Sequence, residues 1–487
     1  MAFLIGGANS AADTAYSVAN SCRFNIGDSA KLGKTFGSDA NSRTTFTVSA
    51  WVKRSKLGAT QDVVSAFRSS DGKQTDAIRF GSNDAFEWYT HRTNGSGTSS
   101  IVTNRKFRDI SAWYHFCVRV DTTQSTDTNR LRIYINGVQE TSFSEATYLA
   151  QNGEMPWGIG SGVEHVIGAV GTAEYFGGYV AEVVYLDGQS VAPTEFGEFD
   201  SDSPTIWKPK DVSGLTFGNN SYYLDFEDSG DLGDDESGNG NDFTETNIAA
   251  TDQATDTPTN SFATLNPLDN YYAESTFSEG NCKVAQGAST YAWNLSTIAV
   301  TAGKYYAEAK ITTDSEHALV GITDQSPVRK LNDILGSDAY DYSIKFANGD
   351  LFNNRGTDPA NDATTYAAAF AQNDIIGIAL DCDNNKLYFS KGGAWSDGSG
   401  SWDSTTFDAA VGAVTITAPA STNNGHYFFA SGDYGGAVCT WEWNFGGCPA
   451  FSISSGNADA NGYGNFEYAV PSGFLALNTK NLGSDGG

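Results

Sequence analysis

The chain has 487 residues and a formal net charge of −29, from 29 basic and 58 acidic residues. So acidic a chain argues against a nucleic-acid partner, because binding to phosphate backbones requires clusters of Lys and Arg. No run approaches the roughly 18 apolar residues of a membrane-spanning helix, so we expect no membrane insertion. The apolar start of the chain carries no Lys or Arg before Arg23, and therefore lacks the charged region of a secretory signal.

The composition favours β-structure in more than one domain. Aromatic residues make up 13% of the chain, which holds 53 Gly and only 2 Met, and no long stretch shows helical periodicity. A chain of this length predicts two or three domains. The six Cys form no Cys-x-x-Cys pair. They are therefore expected to be reduced, partly buried thiols, which fits synthesis in a cytoplasm.

The first domain is predicted from strands that alternate apolar and polar residues. Residues 1–40 are small and polar, and we interpret them as an N-terminal segment, either anchoring or partly joined to the first domain. Residues 45–53 and 113–121 each place one apolar side chain at every second position, as a half-buried strand does. Asn136-Gly137 follows a third such run and is the favoured sequence for a type I′ hairpin turn.

The order and spacing of these strands resemble the laminin G-like or concanavalin A-like lectin jelly roll over residues 22–199. The matching stretches are residues 46–53, 113–115, 131–137, 167–169 and 176–183. The resemblance implies two curved antiparallel sheets packed face to face, with glycans or calcium held by one sheet or its rim loops. The loops of this sequence do not place such a site residue by residue.

Residues 200–281 are predicted to form an acidic, structured connector. Between residues 202 and 256 there are 13 acidic and 2 basic residues, and the Gly, Asn and Asp of this segment supply turn chemistry. Residues 222–226 and Phe243 are apolar enough to add strands to either neighbouring domain.

Residues 282–449 form the second predicted domain, and residues 450–487 a C-terminal extension. Two apolar runs, 375–380 and 387–390, flank a polar turn, which is a hairpin signal. The order of strands resembles the SPRY family, an antiparallel sandwich used for binding. The features that carry this resemblance are residues 304–310, 320–322, 376–380, 387–389 and 444–446. The predicted fold class is therefore all-β, with a laminin G-like jelly roll followed by a SPRY-like sandwich.

Two acidic groups are weak candidates for calcium, which prefers hard oxygen ligands. The candidate ligands are Asp381 and Asp383 in one group and Asp234, Asp235 and Glu236 in the other. The first group fits the opening of an EF-hand loop, but Lys386 stands where the loop needs Gly and Gly392 where it needs Glu. A hairpin turn and a solvated acidic loop are the favoured interpretations.

Four aromatic side chains are candidates for a sugar platform, because a pyranose face stacks on Trp or Tyr. They are Trp88, Tyr89, Trp395 and Trp402, which lie in or near loops rich in Gly, Ser and Asp. The favoured alternative is that these side chains cap the edge of a sandwich.

Enzyme signals are poor. None of the five His sits in a metal-binding pair, and the chain has no nucleophile elbow or phosphate-binding Gly loop. The Glu-x-Asp-x-x-Glu pattern of glycosidases on concanavalin-like sandwiches is also missing. We therefore predict a protein that is not an enzyme. Two carboxylates roughly 5–10 Å apart in a groove would reopen the glycosidase hypothesis.

Four short segments resemble linking segments of virion proteins from tailed phages of aquatic bacteria, in which laminin G-like and SPRY-like domains stand in tandem. They are residues 3–10, 256–260, 265–269 and 464–482. The resemblance implies a virion structural protein, made in the host cytoplasm, that serves as a tail or head fibre for host attachment. It implies a homo-oligomer, a trimer by analogy, with other virion proteins and a host-surface glycan or protein as partners.

Two alternatives stay open. The chain could be a capsid or tail decoration or assembly protein with no receptor. It could also be a bacterial surface lectin or adhesin, which the lack of a secretory signal disfavours.

Overall fold

A computed structural model describes most of the chain and divides it into two compact units. The described residues are 4–5, 16–68, 74–92, 99–201, 203–270, 275–286, 291–313, 316–325, 334–354, 364–435 and 438–485. The first unit comprises residues 11–259, and the second unit comprises residues 260–487 together with residues 1–10. The first strand of the chain, β1 (Leu4–Ile5), therefore belongs to the second unit.

The first unit is built from short antiparallel strands. They are β2 (Ser21–Phe24), β3 (Lys31–Thr35), β4 (Thr45–Arg54), β5 (Gln61–Phe67), β6 (Gln74–Phe80), β7 (Ala85–Arg92), β8 (Ser99–Lys106), β9 (Trp113–Asp121), β10 (Leu131–Ile135), β11 (Val138–Gln139), β12 (Phe143–Thr147), β13 (Glu164–Ile167), β14 (Gly178–Asp187), β15 (Gly197–Phe199), β16 (Trp207–Pro209), β17 (Tyr222–Leu224), β18 (Thr244–Thr246) and β19 (Gln253–Ala254). Sheet A has the order β11-β10-β9-β4-β14-β2-β19, with β17 beside β14. Sheet B has the order β12-β8-β7-β6-β5-β13-β3-β18, and β15 and β16 form a separate ribbon.

The core of the first unit lies between sheets A and B, as the alternating sequence pattern predicts. In β4, the predicted inward positions Phe46, Val48, Ala50 and Val52 are all buried in this core. Sheet B contributes the opposite layer, which includes Val64, Ile78, Trp88, Ile101 and Ile167. Burying one such side chain contributes about 1.5–3 kcal/mol, so these residues stabilise the first unit.

The predicted type I′ turn is confirmed. Asn136 and Gly137 have φ angles of 48° and 76°, and they connect Ile135 to its partner Val138 across β10 and β11. A type I′ turn needs positive φ at both central residues, which Asn and Gly tolerate.

The acidic segment is not a connector, and the predicted boundaries at residues 200 and 281 are wrong. Its strands β17, β18 and β19 pair with β14, β3 and β2 of the first unit. Its carboxylates also enter the sandwich, because Asp256 forms a buried ion pair with Lys53 at 2.6 Å. Asp252 pairs with Arg23 at 3.1 Å. Two basic side chains of sheet A therefore use this segment as their counter-charge.

The second unit is also a sandwich of two sheets. Its strands after β1 are β20 (Thr276–Ser278), β21 (Lys283–Ala285), β22 (Ala292–Val300), β23 (Lys304–Thr313), β24 (Ala318–Thr323), β25 (Tyr342–Lys345), β26 (Asp350–Phe352), β27 (Thr364–Thr365), β28 (Ile375–Asp381), β29 (Lys386–Lys391), β30 (Ala394–Ser396), β31 (Trp402–Ser404), β32 (Val414–Thr415), β33 (Tyr427–Asp433), β34 (Thr440–Asn444) and β35 (Leu475–Ala476). Sheet C has the order β1-β22-β33-β24-β25-β26-β27. Sheet D has the order β20-β21-β34-β23-β28-β29-β30-β31, with β32 beside β29 and β35 beside β23.

The predicted hairpin in the second unit is confirmed, since β28 and β29 pair directly through the turn that follows Asp381. The core between sheets C and D includes Val320, Ile344 and Phe429 from one side and Ile378 and Trp441 from the other. Together with the first unit, this arrangement confirms the predicted class of tandem antiparallel β-sandwiches.

The C-terminal residues pack into the second unit rather than extending from it. Strand β35 pairs in parallel with β23. Glu308, fully buried on β23, accepts hydrogen bonds from the backbone N–H groups of Glu467 at 3.0 Å and Tyr468 at 2.8 Å. The predicted extension at residues 450–487 is therefore corrected to a part of this sandwich.

Helices are short in the described residues. The α-helix is α1 (Thr479–Asp485). The 3-10 turns are Ile26–Asp28, Asp127–Asn129, Pro156–Gly158, Pro193–Glu195, Ala250–Asp252, Glu279–Asn281 and Pro419–Ser421. Within the same described residues, no helix has the length and apolar character to cross a membrane. All six Cys are buried, and none is joined to another in a disulfide.

Candidate functional site

Strands β6, β7, β8 and β12 of sheet B carry a groove on the face that points away from the core. We call it the Arg79 groove, and it encloses about 620 Å³. The residues that line it are Arg79, Glu87, Tyr89, Ser100, Val102, Glu145 and Thr147. Because side chains alternate along a strand, Phe86 and Trp88 fill the core while Glu87 and Tyr89 face the groove.

The strand register arranges the groove residues in two rows. In the first row, Arg79 lies opposite Glu87, Glu87 opposite Val102, and Val102 opposite Glu145. In the second row, Tyr89 lies opposite Ser100, and Ser100 opposite Thr147. The groove therefore combines one aromatic ring, the three hydroxyl groups of Tyr89, Ser100 and Thr147, and three charged side chains on one sheet.

Arg79 is the centre of the charge arrangement. Its Nε donates to Glu87 Oε2 at 2.9 Å, and its Nη1 contacts Glu174 Oε2 at 3.5 Å. The guanidinium carbon stands 4.0 Å from the centroid of the Tyr89 ring, a cation–π distance. The side chains of Arg79 and Glu87 are only 17% and 13% exposed, so the arrangement is held firmly.

Asp62 on β5 lies opposite Arg79 on β6 and so extends the first row by one strand. The side chain is fully buried, and neither carboxyl oxygen has a hydrogen-bond partner among the described residues. Burial, followed by the neighbouring Glu174 carboxyl, raises the pKa of Asp62 well above its ordinary value. Burial therefore disfavours the charged form of Asp62 beside Arg79.

Glu87 and Glu145 flank Val102 on opposite sides of the groove, two strands apart. Neighbouring strands are about 4.8 Å apart, so these positions are separated by roughly 10 Å, near the upper limit for an inverting glycosidase pair. Glu87 is paired with Arg79, and Glu145 is exposed. Neither has the apolar enclosure that prepares a carboxylic acid for proton donation, so the geometry suits binding better than hydrolysis.

A buried Ser–His pair in sheet A is structural. Ser49 Oγ and His115 Nε2 are 2.8 Å apart, and the indole N–H of Trp207 donates to His115 Nδ1 at 3.0 Å. In a neutral imidazole, an acceptor at Nδ1 leaves the proton on Nε2. Burial lowers the pKa of His115 to about 3. His115 therefore donates to Ser49 and cannot remove its proton.

The two aromatic candidates Trp88 and Tyr89 lie on opposite faces of sheet B. Tyr89 is half-buried and lines the groove. Trp88 is fully buried in the core, so its prediction as an exposed sugar platform is wrong. The physical reason is that the two residues belong to β7, where consecutive side chains point to opposite faces.

Trp395 and Trp402 do not form a shared platform. Trp395 is 8% exposed and packs against Phe407 with ring centroids 5.0 Å apart, so its prediction as an open stacking surface is wrong. Trp402 is half-buried, and its indole N–H donates to the carbonyl of Ala368 at 2.9 Å. Both act as caps on the second sandwich, which is the alternative favoured by the sequence.

The first calcium candidates serve the β28–β29 hairpin. Asp381 accepts the backbone N–H of Asn384 at 2.9 Å and pairs with Lys304 at 3.0 Å. Asp383 accepts the backbone N–H of Gly303 at 2.7 Å. Their carboxylates are thus used within the fold, as the hairpin interpretation expects.

The second calcium candidates lie in a turn of the first unit. Asp235 accepts backbone N–H groups from Tyr223 and Asn241 at 2.9 and 2.8 Å. Burial and then Asp242 raise the pKa of Asp234, and repulsion from Asp225 is the main cause that raises the pKa of Glu236. In the described part of the chain, no three His, Cys, Asp or Glu side chains come together as a metal site.

The sequence interpretation missed Arg79, Glu87 and Glu145 as members of a site. A signal for two of them was present, because Arg79 stands between Ile78 and Phe80, and Glu87 stands between Phe86 and Trp88. A charged residue between two core residues must point outward. The order of strands in sheet B, which brings them together, is not visible in the sequence.

Comparisons with known families agree with both sandwiches. Residues 27–192 match the family described as the concanavalin A-like lectin/glucanases superfamily, and residues 304–431 match the SPRY domain. The first description covers both binding proteins and enzymes, so the choice between them depends on the groove. No curated protein matches the chain.

Three solved structures are similar to parts of the chain. The SPRY domain of human HERC1 is 16% identical, with 39% of this chain and 99% of that chain covered and a TM-score of 0.28. A heptameric SAP-like pentraxin from Limulus polyphemus is 16% identical, with 37% and 80% covered and a TM-score of 0.27. A candidate carbohydrate binding protein from Bacteroides ovatus ATCC 8483 is 14% identical, with 47% and 58% covered and a TM-score of 0.31.

Proposed function

We propose that the first unit binds a glycan in the Arg79 groove, and that the chain is a bacteriophage fibre protein that presents this groove to a host surface. The observation that carries the proposal is the groove itself, a row of polar side chains beside a half-buried Tyr89 on a lectin-like sandwich. The virion role rests on the resemblance of the short linking segments, such as residues 464–482, to those of phage proteins.

The groove has the groups that sugar recognition requires. Sugar hydroxyls both donate and accept hydrogen bonds, and the groove offers the hydroxyls of Ser100 and Thr147 beside the carboxylates of Glu87 and Glu145. The Tyr89 edge and Val102 give apolar contact for the C–H groups of a pyranose ring. A few placed polar groups beside an apolar surface are typical of ligand sites.

A glycan array probed with the intact chain tests the binding proposal. We expect selective binding, and we expect Tyr89→Ala to weaken it by about fivefold, since an aromatic contact contributes on the order of 1 kcal/mol. Trp402→Ala is the matched control, because it removes an aromatic side chain from the second unit. Circular dichroism would verify that both variants are folded. Binding that depends on Trp402 and not on Tyr89 would contradict the proposal.

Cryo-electron microscopy of the phage particle tests the virion role. A fibre protein is expected to project from the tail or head with the Arg79 groove exposed, as a homo-oligomer with trimers the first expectation. A chain packed against shell or tail subunits would instead support a decoration protein. If no particle contains the chain, the bacterial surface lectin becomes the better hypothesis.

The proposed function is not catalytic. Glu145 is exposed, and Glu87 is paired with Arg79, so neither is prepared as a proton donor. Release of reducing ends from glycans that bind the array would contradict this part of the proposal.

A further inference from the structure

The charged residues of the Arg79 groove indicate which glycans would fit there. An inference about glycan charge rests on the proposed function, which is glycan binding in this groove. Arg79 is the basic residue among those that line the groove, and Glu87 and Glu145 are the acidic ones. From these charges we infer that the groove binds neutral or amine-bearing glycans and rejects glycans that carry carboxylate or sulfate groups.

The positive charge of Arg79 is already used by the protein. A free guanidinium would attract acidic sugars, since it pairs with carboxylates through two parallel hydrogen bonds. Here Nε is 2.9 Å from Glu87, and Nη1 is 3.5 Å from Glu174. The remaining donors can still serve a sugar hydroxyl, but the charge of Arg79 is balanced by two carboxylates.

Glu145 leaves the groove with an excess of negative charge. Glu145 stands at the exposed end of the first row, and Arg79 stands at the other end. Val102 lies between Glu145 and Glu87. A sugar that lies across Val102 therefore lies between the ion-paired Glu87 and the exposed Glu145. An acidic group there is repelled by the unbalanced charge of Glu145, whereas a protonated amine is attracted by it.

Asp62 is too deeply buried to face a ligand in the groove. Its side chain is fully buried beside Arg79, which leaves the exposed carboxylates at the other end of the row to face the ligand. The amine of a hexosamine is therefore expected to lie toward Glu145, and the uncharged part of the glycan toward Arg79 and Tyr89.

Titration of the intact chain with three sets of oligosaccharides of matched length tests the inference. The probes are N-acetylated chitooligosaccharides, the same oligosaccharides after deacetylation, and oligogalacturonates, supplemented by any neutral, amino and sulfated hits of the array. We expect acidic glycans to bind at least about tenfold more weakly than neutral ones of the same length, and amine-bearing glycans to bind at least equally well.

Charge variants separate this inference from the proposed function. Glu145→Gln is expected to reduce the ratio of amine-bearing to acidic glycan affinity by about fivefold or more, since one nearby charge is removed. Glu198→Gln removes one acidic charge from the β15–β16 ribbon and is expected to leave the ratio unchanged. Equal affinity for acidic and neutral glycans would overturn the inference while the proposed function stands. Failure of every glycan to bind would overturn the proposed function and the inference with it.

Discussion

At the scale of single residues, the first sandwich contains a buried ion pair between Arg54 and Asp84. Neither charge would be stable alone among the apolar neighbours. The Arg54 side chain is fully buried and contacts Asp84 at 3.2 Å, with its guanidinium carbon 4.3 Å from the Phe80 ring centroid. Burial lowers the pKa of Arg54 to about 10. Asp84 also accepts hydrogen bonds from Gly58 and Arg108, so one carboxylate holds three groups in place.

Replacement of Asp84 by Asn tests this pair. Asn has the same shape and tolerates the positive φ of 65° at this position, so Asp84→Asn removes mainly the charge. Since breaking a buried pair leaves the partner charge uncompensated, we expect a loss of about 3–5 kcal/mol in the free energy of unfolding. Glu164→Gln breaks the more exposed pair with Lys31 and should cost less than about 1 kcal/mol. Equal costs in chemical denaturation would contradict the account.

Glu308 gives the second unit a pH dependence. Burial raises its pKa to about 7 from an ordinary value of 4.5, against the opposing effect of the hydrogen bonds that it accepts. The folded state therefore holds the proton more tightly than the unfolded state between these two values. Stability should decrease as the pH rises through this window.

Denaturation midpoints measured across this pH range test the role of Glu308. Glu308→Gln removes the titrating group, so its midpoint should change less with pH than that of the wild type. The variant should also be less stable at low pH, because the amide presents a donor to the N–H groups of Glu467 and Tyr468. An unchanged pH slope in the variant would show that other groups cause the dependence.

The candidate site shows how far residue-level prediction from sequence extends. Tyr89, a sugar-stacking candidate, lines the groove, but the same reasoning selected Trp88, which the pleat of β7 turns into the core. Arg79 and Glu145 are 66 positions apart in the sequence, and only the pairing of four strands places them in one groove. Such long-range pairing is not encoded in local periodicity.

At the scale of elements, the β10–β11 hairpin supports the β15–β16 ribbon. A Cβ atom at Gly137 would lie 2.3 Å from the Trp207 ring, and Trp207 in turn hydrogen-bonds His115 on β9. The turn is therefore specified twice, by its positive φ angles and by the ring that covers it.

Two glycine substitutions distinguish the effect of the positive φ angle from the effect of contact with the Trp207 ring. Gly137→Ala and Gly58→Ala both place a side chain at positive φ, at 76° and 73°, which costs about 1–2 kcal/mol. A Cβ at Gly58 meets nothing within 4 Å. We therefore expect Gly137→Ala to cost about 1–3 kcal/mol more in the free energy of unfolding, because its Cβ overlaps a ring. Equal costs would mean that Trp207 moves aside freely.

The longer strands were predictable because their burial against a core leaves a pattern in the sequence. Residues 45–53 and 113–121 show period-two alternation, the 375–390 hairpin shows two apolar runs around a polar turn, and all of them form strands in the structure. The strands β18 and β19 are three and two residues long, too short for a periodic pattern, whereas β17 lies in the apolar run 222–226. The acidic surroundings suggested solvent, although the half-buried Asp252 and the buried Asp256 serve as counter-charges.

At the scale of the whole molecule, the chain divides at residue 259 rather than at the predicted boundaries. A fragment of residues 11–259 should therefore unfold in one cooperative transition. A fragment of residues 22–199 lacks Asp256, the ion-pair partner of Lys53, and the edge strands of both sheets. We expect it to be unfolded or aggregated by circular dichroism and size-exclusion chromatography. Equal stability of the two fragments would contradict the boundary.

The Arg79 groove is the proposed glycan site of this protein. Its most direct test is a crystal structure of the intact chain with the strongest ligand from the glycan array. The account predicts electron density for a sugar across Val102, in contact with Tyr89 and Glu145. The proposal would be contradicted if the groove were empty and the sugar density lay elsewhere, for example at the Trp395–Trp402 surface of the second unit.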